Sequence, residues 1–383
     1  MLEHNLTLEC IKDYQSFLGI EEEWDQFLKK TEVSSPFLTY GWQKAWLETY
    51  GKQNKILVLV IKYDEEIVGI CPLIEVKRMG FKMVELVGTG KSDWLDIPVV
   101  PLHRKRVLKK IMQFLVQEID NWHLINFRDI LADSPSILCL EEVCKELKIC
   151  ARRKKRTVSP YLQINMDWNK FLQSKSAHFR TKLKYHKKKA QKAGKELKIE
   201  KISQMDKDYS ILNTMEDVES KSWKVSSGNP KITTRIGKEF YKRICEYLSR
   251  KGYLDIWIAT LDGQAIAFLL NIVYQGKCYH YNGTFDQRFT NISPGLILHS
   301  EAIESAFDTG LTEYDFLSGD EPYKYKWCRD RRDIYQMVFF RKKLISFMAF
   351  MALVKTRWIL KEYDFFVKIN QKFAPWRRRF LSR

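Results

Sequence analysis

A short segment in the last fifth of the chain collects side chains that can move protons. Asp320, Glu321, Tyr323 and Lys324 follow a strand-like stretch that contains Asp315. A carboxylate at the end of a strand in a cleft can have a raised pKa and act as a base. A tyrosine can protonate a leaving group, and a lysine can stabilise an oxyanion or hold an acceptor. Each residue alone could equally be a structural hydrogen-bond partner, but the cluster favours a catalytic loop with Asp315, Asp320, Tyr323 and Lys324 as its candidate catalytic residues.

A predicted helix begins upstream of this loop, at the sequence SPG of residues 293–295. Serine is favoured at the N-cap of a helix and proline at the first helical position. The sequence also predicts a strand on each side of this helix, at residues 278–285 and 311–317. Backbone N–H groups at a helix start bind phosphate groups. Ser293, Gly295 and Leu296, with Arg288 as a nearby cation, are therefore the candidate residues for holding an anionic donor.

The order of these motifs carries a family resemblance. TFDQRF, SPGLILH and AIESAFDTGLTEYDFLSGDEPYKYKW together are similar to the C-terminal signature of the CelD-like (cellulose biosynthesis protein) acetyltransferases of the GNAT superfamily. The segments SPFLTYGWQKAWLETYG, EEIVGICPL and GYLDIWIATLDGQAIAFLL fit as well, so the resemblance covers most of residues 20–330. It implies acyl transfer from acetyl-CoA or another acyl-CoA to an amine or hydroxyl acceptor, in cell-envelope or polysaccharide metabolism. The related Fem-type peptidyltransferases share the doubled fold but take aminoacyl groups from tRNA.

The resemblance also implies substrate contacts, with one departure from the superfamily pattern. The superfamily holds pyrophosphate on a Q/R-x-x-G-x-G/A loop at a helix start, and only Gly295 matches cleanly here, which leaves aminoacyl-tRNA open as the donor. The family often has a glycine-then-aspartate segment like residues 88–96, either facing a cleft between two halves or forming a solvated turn. The loop at Trp223 is either a lid or an ordinary surface loop. The candidate substrate-binding residues are Asp93, Asp96, Trp223, His280, Asp286 and Trp327.

Composition limits the function classes. The 383 residues carry a formal net charge of +18, which predicts a polyanionic partner such as nucleic acid, an anionic membrane or a phosphorylated substrate. Eight cysteines without a CxxC pair indicate buried thiols in a reducing cytoplasm, and no metal site is predicted. No G-x-S-x-G or HExxH motif occurs. No apolar run reaches the ~18 residues of a membrane span.

The chain is long enough for two domains and contains a repeated element. An apolar hairpin with an acidic turn occurs at residues 55–76 and again at 254–274, which favours a duplicated fold. The predicted fold class is α/β (α+β): two tandem GNAT-like domains, each a mixed, mostly antiparallel sheet flanked by helices. The domains are 1–155, 156–340 with the donor and catalytic site, and a basic apolar helical tail at 341–383. The helix starting at Ser134-Pro135-Ser136 is interpreted as a partial echo of residues 293–295.

Two basic segments widen the choice of partners. Residues 175–198 form a lysine-rich helix with few acids, which either binds an anion or is a solvated face. The tail interleaves apolar residues with arginine and lysine, as an interfacial helix does, although packing on the protein or on a second copy explains it equally well. The predicted location is the cytoplasm, with a peripheral position at the inner face of the membrane as an option. The alternatives to an acyl-CoA-dependent acyltransferase are a Fem-type tRNA-dependent transferase and a non-catalytic membrane-associated protein.

Overall fold

The computed structural model describes residues 6–119, 122–192, 196–341 and 343–356. Within these residues twelve strands form a single sheet in the order β1-β2-β3-β4-β5-β12-β6-β11-β10-β9-β8-β7. The strands are β1 (Leu6–Ile11), β2 (Lys55–Tyr63), β3 (Glu66–Arg78), β4 (Phe81–Leu86), β5 (Leu124–Leu131), β6 (Cys150–Gln163), β7 (Leu197–Ile202), β8 (Leu254–Leu261), β9 (Gln264–Tyr274), β10 (Lys277–Phe285), β11 (Glu313–Asp315) and β12 (Asp330–Phe340).

Helices cover the faces of this sheet. They are α1 (Tyr14–Leu18), α2 (Glu21–Leu28), α3 (Tyr40–Glu48), α4 (Arg104–Gln117), α5 (Pro135–Glu146), α6 (Trp168–Ser174), α7 (Ala177–Lys192), α8 (Ser210–Ser220), α9 (Trp223–Ser226), α10 (Arg235–Arg250), α11 (Pro294–Asp308) and α12 (Leu344–Phe350), the last continuing as a π-helix over Met351–Lys355. Short 3-10 turns lie at Pro36–Leu38, Pro101–His103, Gln287–Ile292 and Lys324–Lys326. No helix in the described part of the chain combines the length and apolar character needed to cross a bilayer.

The two halves of the sheet repeat the same strand pattern. In the first half, β1 to β4 pair antiparallel in sequence order, and β4 then pairs parallel with β5 over three residue pairs. In the second half, β7 to β10 pair antiparallel, and β10 then pairs parallel with β11 over three pairs. The repeated hairpins turn through left-handed residues, Asp64 and Glu65 in one and Asp262 and Gly263 in the other, as tight hairpins with the natural strand twist require. The predicted fold class, α/β (α+β) with two repeated units of mixed, mostly antiparallel strands flanked by helices, is confirmed.

The last strand of each half crosses into the other half. β6 follows β5 in the chain but pairs with β11, whereas β12 follows β11 but pairs with β5. β6 and β12 also pair with each other along nearly their whole length. The predicted domain boundary between residues 155 and 156 falls inside β6, so this boundary remains a prediction. The exchange joins the halves through one continuous sheet.

Helix α11 has its topological equivalent in α4, and not in α5. α11 connects the parallel strands β10 and β11, and α4 connects the parallel strands β4 and β5. α5, which begins after Ser134, follows β5. The echo between residues 134–136 and 293–295 is therefore wrong, because the two serines start helices at different places in the fold. Ser134 caps α5 by accepting a hydrogen bond from the Ile137 N–H.

Aromatic and charged contacts hold the halves together on the face that carries α3 and α10. The ring of Trp42 meets Phe240 edge to face at 5.5 Å and Tyr281 at 5.0 Å. Lys251 Nζ lies 2.9 Å from an Asp25 carboxylate oxygen across the same boundary. Apolar side chains from both halves form one buried cluster here. Because the aromatic contacts are buried, they fix how loops of the first half meet the second.

Candidate active site

The parallel strands β10 and β11 separate shortly after they pair. Their contact ends at Tyr279 and Asp315. β10 then has a bulge, because its register with β9 shifts between His280 and Asn282. A bulge bends a strand and redirects its side chains. The separation opens a cavity of about 580 Å³ between β10 and the loop that follows β11.

Five parts of the chain line this cavity. Four of them are β10 from residue 280 onward, the start of α11 with Thr290 before it, the loop 316–327 and the loop 223–231; the fifth is a set of single residues, Leu269 on β9, Lys182 on α7 and Asp93 in the first half. The predicted residues among the lining are Asp93, Trp223, His280, Ser293, Gly295, Leu296, Tyr323, Lys324 and Trp327. The structure thus brings the predicted donor site, acid and substrate contacts to one place, although their roles remain predictions.

The start of α11 forms one end of the cavity. Ser293 precedes the helix in a left-handed conformation, with φ 53°, and its side chain caps no backbone N–H. Its Oγ instead lies 3.4 Å from His186 Nε2 on α7. Gly295 lines this end of the cavity, and a Cβ there would sit at ordinary contact distance, 3.6 Å, from the Phe285 ring. The positive end of the helix dipole therefore faces the cavity, as an anion site requires.

Lysines give the cavity a positive lining. The lining contains two carboxylates, Asp93 and Glu321. Against these stand the lysines Lys182, Lys224, Lys231, Lys324 and Lys326. A concave site with an excess of one charge focuses the field and attracts ligands of opposite charge. The cavity is suited to an anionic ligand.

Lys324 is used to hold the loop after β11. Its Nζ donates to the backbone carbonyls of Leu317 and Ser318, both at 3.0 Å, and of Gly319 at 3.3 Å. It also lies 2.9 Å from a carboxylate oxygen of Glu321. With these partners the Lys324 ammonium group stabilises the loop after β11. This loop is the cavity wall that carries Tyr323, so Lys324 holds that wall in place.

Tyr323 presents a protonated phenol to the cavity. The side chain is 36% exposed and lines the site. Partial burial and the neighbouring Glu321 raise its pKa above the usual value. The ring lies 5.5 Å from His299. A phenol that stays protonated at neutral pH is chemically suited to donate a proton to a leaving thiolate.

Two histidines beside Tyr323 are held neutral. His280 and His299 meet edge to face at 4.6 Å, and both are buried. Burial lowers the pKa of His299 to about 3, and burial together with His299 lowers the pKa of His280 well below its usual value. His280 Nδ1 contacts Asn271 Oδ1 at 2.9 Å. His299 is not among the predicted site residues, because its spacing on α11 matches ordinary core positions.

Asp93 reaches the cavity from the first half of the chain. The neighbouring Trp94 is left-handed at φ 48°, and its buried ring meets Tyr279 at 5.2 Å. The Trp94 indole donates to Ser159 Oγ at 3.3 Å. Burial and nearby Asp129 raise the pKa of Asp93 to about 6, while Lys231 lowers it. A carboxylate with a raised pKa in a cavity is the kind of group that can act as a base.

Lys224 lines the cavity but is not among the predicted site residues. From the sequence it is only part of the loop at Trp223. Its side chain is buried, and its Nζ donates to Asn282 Oδ1. Burial, with a contribution from Lys231, lowers the pKa of Lys224 to about 7. The other amide atom, Asn282 Nδ2, is buried without a hydrogen-bond partner among the described residues, as is Thr284 Oγ1 on the same wall. These polar groups are available to a ligand, and no local sequence signal distinguishes such a lysine from a surface one.

Five predicted site residues lie away from the cavity. Asp315 is fully buried and accepts hydrogen bonds from Ser159 Oγ at 2.9 Å and from Arg332 at 3.0 Å. Burial and Glu313 raise the pKa of Asp315 to about 7, but the carboxylate is enclosed between β6, β11 and β12. Asp320 is exposed and accepts from the Tyr325 hydroxyl. Both carboxylates act in local structure here.

The remaining three of these residues also have local partners. Asp286 is buried and receives the Arg288 guanidinium at 2.6 Å. That ion pair holds Arg288 at the surface outside the cavity lining. Asp96 is buried in the first half, where it accepts from the Ile97 N–H at 2.7 Å, and burial raises its pKa to about 6. The pattern of charges in the sequence does not reveal these pairings, because each depends on which strand or turn lies beside it.

Glu219 anchors the loop that carries Trp223 and Lys224. Its buried Oε2 accepts from the backbone N–H groups of Lys231 at 2.9 Å, Ile232 at 2.6 Å and Thr233 at 3.0 Å. One side chain thus closes the loop that forms a cavity wall, whereas Trp223 at its start is 50% exposed. Glu219 therefore holds the loop 223–231 in place as one wall of the cavity.

We expect Glu219→Ala to lower the free energy of unfolding by about 2–4 kcal/mol, because three buried N–H groups lose their acceptor. Glu219→Gln keeps one oxygen and should cost less than half as much. Urea denaturation measures both changes, and limited proteolysis should show earlier cleavage within residues 223–233 in the alanine variant. Equal stability of Glu219→Ala and the unmodified protein would contradict the anchoring role.

The second half of the chain matches a known protein family. Residues 177–325 match the family model of the acetyltransferase (GNAT) domain. The chain thus carries a GNAT domain, and the match spans the cavity except for Asp93, Lys326 and Trp327. The finer CelD-like assignment is not tested by this match. No curated protein sequence matches the chain.

Solved structures resemble the whole fold. FemX superimposes with a TM-score of 0.60 at 13% identity, covering 86% of this chain and 96% of FemX. A protein of unknown function from Bacteroides thetaiotaomicron gives 0.55 at 12% identity, covering 88% and 100%. The C-terminal domain of a putative lysylphosphatidylglycerol synthetase from Agrobacterium fabrum gives 0.53 at 10%, covering 84% and 92%. At these identities the likeness concerns the fold alone.

Proposed function

We propose that this protein is an acyltransferase that moves an acetyl or other acyl group from acyl-CoA to an amine or hydroxyl acceptor. The observation that carries the proposal is the separation of β10 from β11 beside the open start of α11. A GNAT domain covers this region. The cavity has the size and positive lining for part of an elongated anionic thioester.

The donor would lie along β10 with its phosphates at α11. Beyond Tyr279 the edge of β10 that faces away from β9 has no pairing with β11, so its backbone can hydrogen-bond to the amides of a pantetheine arm. The Gly295 amide, with Lys182 and Lys326 nearby in the lining, supplies positive charge for the phosphates, whereas the Ser293 N–H already donates to the Thr290 carbonyl. This arrangement points the thioester toward Tyr323 and Asp93.

The chemistry needs one base and one acid. The acceptor amine or hydroxyl attacks the thioester carbonyl, and Asp93 takes the proton that the nucleophile loses. The carbon–sulfur bond then breaks, and Tyr323 gives its proton to the departing thiolate. Asn282 Nδ2, a buried donor without a partner among the described residues, can stabilise the oxyanion between these steps. Atoms and charge balance, and the protonated Asp93 returns its proton to Tyr323 through solvent.

We propose a saccharide or another envelope precursor as the acceptor, in line with the CelD-like resemblance. The half-exposed Trp223 lies at the cavity wall with Asn229 and Lys231. An aromatic face with neighbouring hydrogen-bonding groups suits a polar ring with apolar faces. Competition of candidate sugars and aminosugars for transfer would rank the acceptors.

Aminoacyl-tRNA is the second candidate donor. Its support is α7, whose exposed Lys182, Lys184 and Lys188 continue the positive lining outward, together with the fold shared with FemX. A gel shift with charged and uncharged tRNA, compared with calorimetry on acetyl-CoA, separates the two donors. Steep salt dependence alone would not, since every polyanion produces it.

Incubation with labelled acetyl-CoA and candidate acceptors tests the proposed acid. We expect Tyr323→Phe to lower kcat about 10- to 100-fold without weakening acetyl-CoA binding, because only the proton donor is lost. Tyr325→Phe is the matched control, since that hydroxyl contacts Asp320 outside the cavity lining, and it should keep full activity. Equal activity of the two variants would remove Tyr323 from the mechanism, and no binding of any acyl-CoA would contradict the proposed donor.

A further inference from the structure

Helix α12 is apolar on two opposite faces. Its inner face places Ala349 and Phe350 in a small buried cluster with Leu124 and Val338, and Phe350 stacks on Phe340 at 4.9 Å. Its outer face is exposed, with Leu344 at 77%, Phe347 at 50% and Met348 at 53%. Residues 344, 347 and 348 follow the i, i+3, i+4 spacing of one helical stripe. The helix is docked on the protein and still presents an apolar surface.

The hairpin between β3 and β4 adds another exposed apolar residue beside the same buried cluster. The hairpin between β3 and β4 turns at Met79, which is 77% exposed. Val76 and Phe81, on the two strands of this hairpin, pack against the cluster that receives α12. The hairpin tip and the outer face of α12 therefore flank one part of the molecule. We call these two elements together the α12 surface.

The two segments that form the α12 surface, residues 341–356 and 76–82, carry charges of one sign. Residues 341–356 contain arginine and lysine but no aspartate or glutamate. Lys343 at the start of α12 and Lys355 at its end are exposed, as is Lys77 beside the hairpin tip. Exposed apolar side chains between exposed lysines match the boundary of an anionic bilayer, where acyl chains meet charged headgroups.

We propose that the α12 surface docks the protein on an anionic lipid bilayer, with Leu344, Phe347, Met348 and Met79 entering the acyl region and the lysines contacting headgroups. A second copy of the chain is a poorer occupant, because pairing two such surfaces would bring lysines together in a protein of net charge +18. The proposal rests on surface exposure and charge and does not depend on the acyl-transfer proposal. It concerns described residues only, whereas residues 357–383 of the predicted tail at 341–383 lie outside them.

Vesicle flotation of the full chain tests this surface. The probes are vesicles of phosphatidylcholine alone and of equal parts phosphatidylcholine and phosphatidylglycerol. We expect flotation with the anionic vesicles only, and about tenfold or greater loss of partitioning for the double variant Leu344→Ser/Phe347→Ser. Lys77→Glu/Lys343→Glu should lose about as much, and the loss should shrink as salt rises.

Matched controls come from other parts of the surface. Leu102→Ser removes a side chain that is 85% exposed on the loop before α4, and Lys207→Glu reverses an exposed lysine before α8. Both should float like the unmodified protein, and circular dichroism should give all variants the same melting temperature within a few degrees. Absence of flotation, equal loss in the controls, or full retention by the α12 double variant would each overturn the proposal. A dimer that the double variant dissociates, without any flotation, would overturn it in favour of a second copy.

Discussion

Replacing Gly295 with glutamate is expected to weaken acetyl-CoA binding about 100-fold or more, equivalent to about 2.7 kcal/mol. The new carboxylate would stand at the start of α11, where the proposed donor places its phosphates, and both its bulk and its charge oppose them. The same substitution should not destabilise the protein. A negative side chain in the first turn of a helix interacts favourably with the dipole, and glycine is a poor helix former. Calorimetric titration should therefore show weaker acetyl-CoA binding, whereas thermal melting should show an unchanged or higher melting temperature.

Two companion variants separate bulk from charge at this position. Gly295→Gln has nearly the same volume without the charge, and Gly295→Ala adds only a Cβ that would lie at ordinary contact distance, 3.6 Å, from Phe285. Alanine should bind acetyl-CoA within a few-fold of the unmodified protein, and glutamine should fall between alanine and glutamate. If glutamate binds acetyl-CoA as well as alanine does, the start of α11 is not the donor site.

The second large effect is expected at Asp93. Asp93→Asn should lower kcat about 10²- to 10⁴-fold, the usual contribution of a general base, and leave the dissociation constant of acetyl-CoA nearly unchanged. Since burial raises the pKa of Asp93 to about 6, kcat/KM of the unmodified protein should fall as the pH drops through about 6. The direction follows because the protonated carboxyl cannot accept a proton. The variant should lack this acidic limb.

Glu321→Gln is the control for Asp93, because Glu321 is the other carboxylate in the cavity lining and is paired with Lys324. It should retain the acidic limb of the pH profile and most of kcat. A variant at Asp93 that keeps the limb near pH 6 would assign the titration to another group. Lys224, whose pKa is lowered to about 7 by burial, would then be the next candidate, and Lys224→Met would test it.

Local features of the fold were predictable from sequence because they depend on neighbours in the chain. The repeated hairpins needed only apolar runs separated by an acidic turn, and the structure has them at β2–β3 and β8–β9, with left-handed residues in both turns. The start of α11 after residue 293 followed from Pro294 at the first helical position, whereas the N-cap predicted for Ser293 is wrong, because this residue is left-handed and its side chain caps no backbone N–H. The strand predicted over 311–317 is shorter, Glu313–Asp315, because β10 and β11 separate at that point.

The composition of the site depended on approaches between distant parts of the chain. Asp93 enters the cavity where Trp94 packs on Tyr279, a residue far away in sequence, and burial together with Lys231 lowers the pKa of Lys224 to about 7. Asp315 and Asp320 are carboxylates that could act as bases, yet Asp315 accepts a hydrogen bond from Arg332 and Asp320 accepts one from Tyr325. The sequence by itself determined the repeated units, the helix start and the positive charge, since these arise from backbone preference and composition. Only the tertiary structure decided which carboxylates and lysines face the cavity, because desolvation and pairing depend on strands that the chain brings together after crossing between its halves.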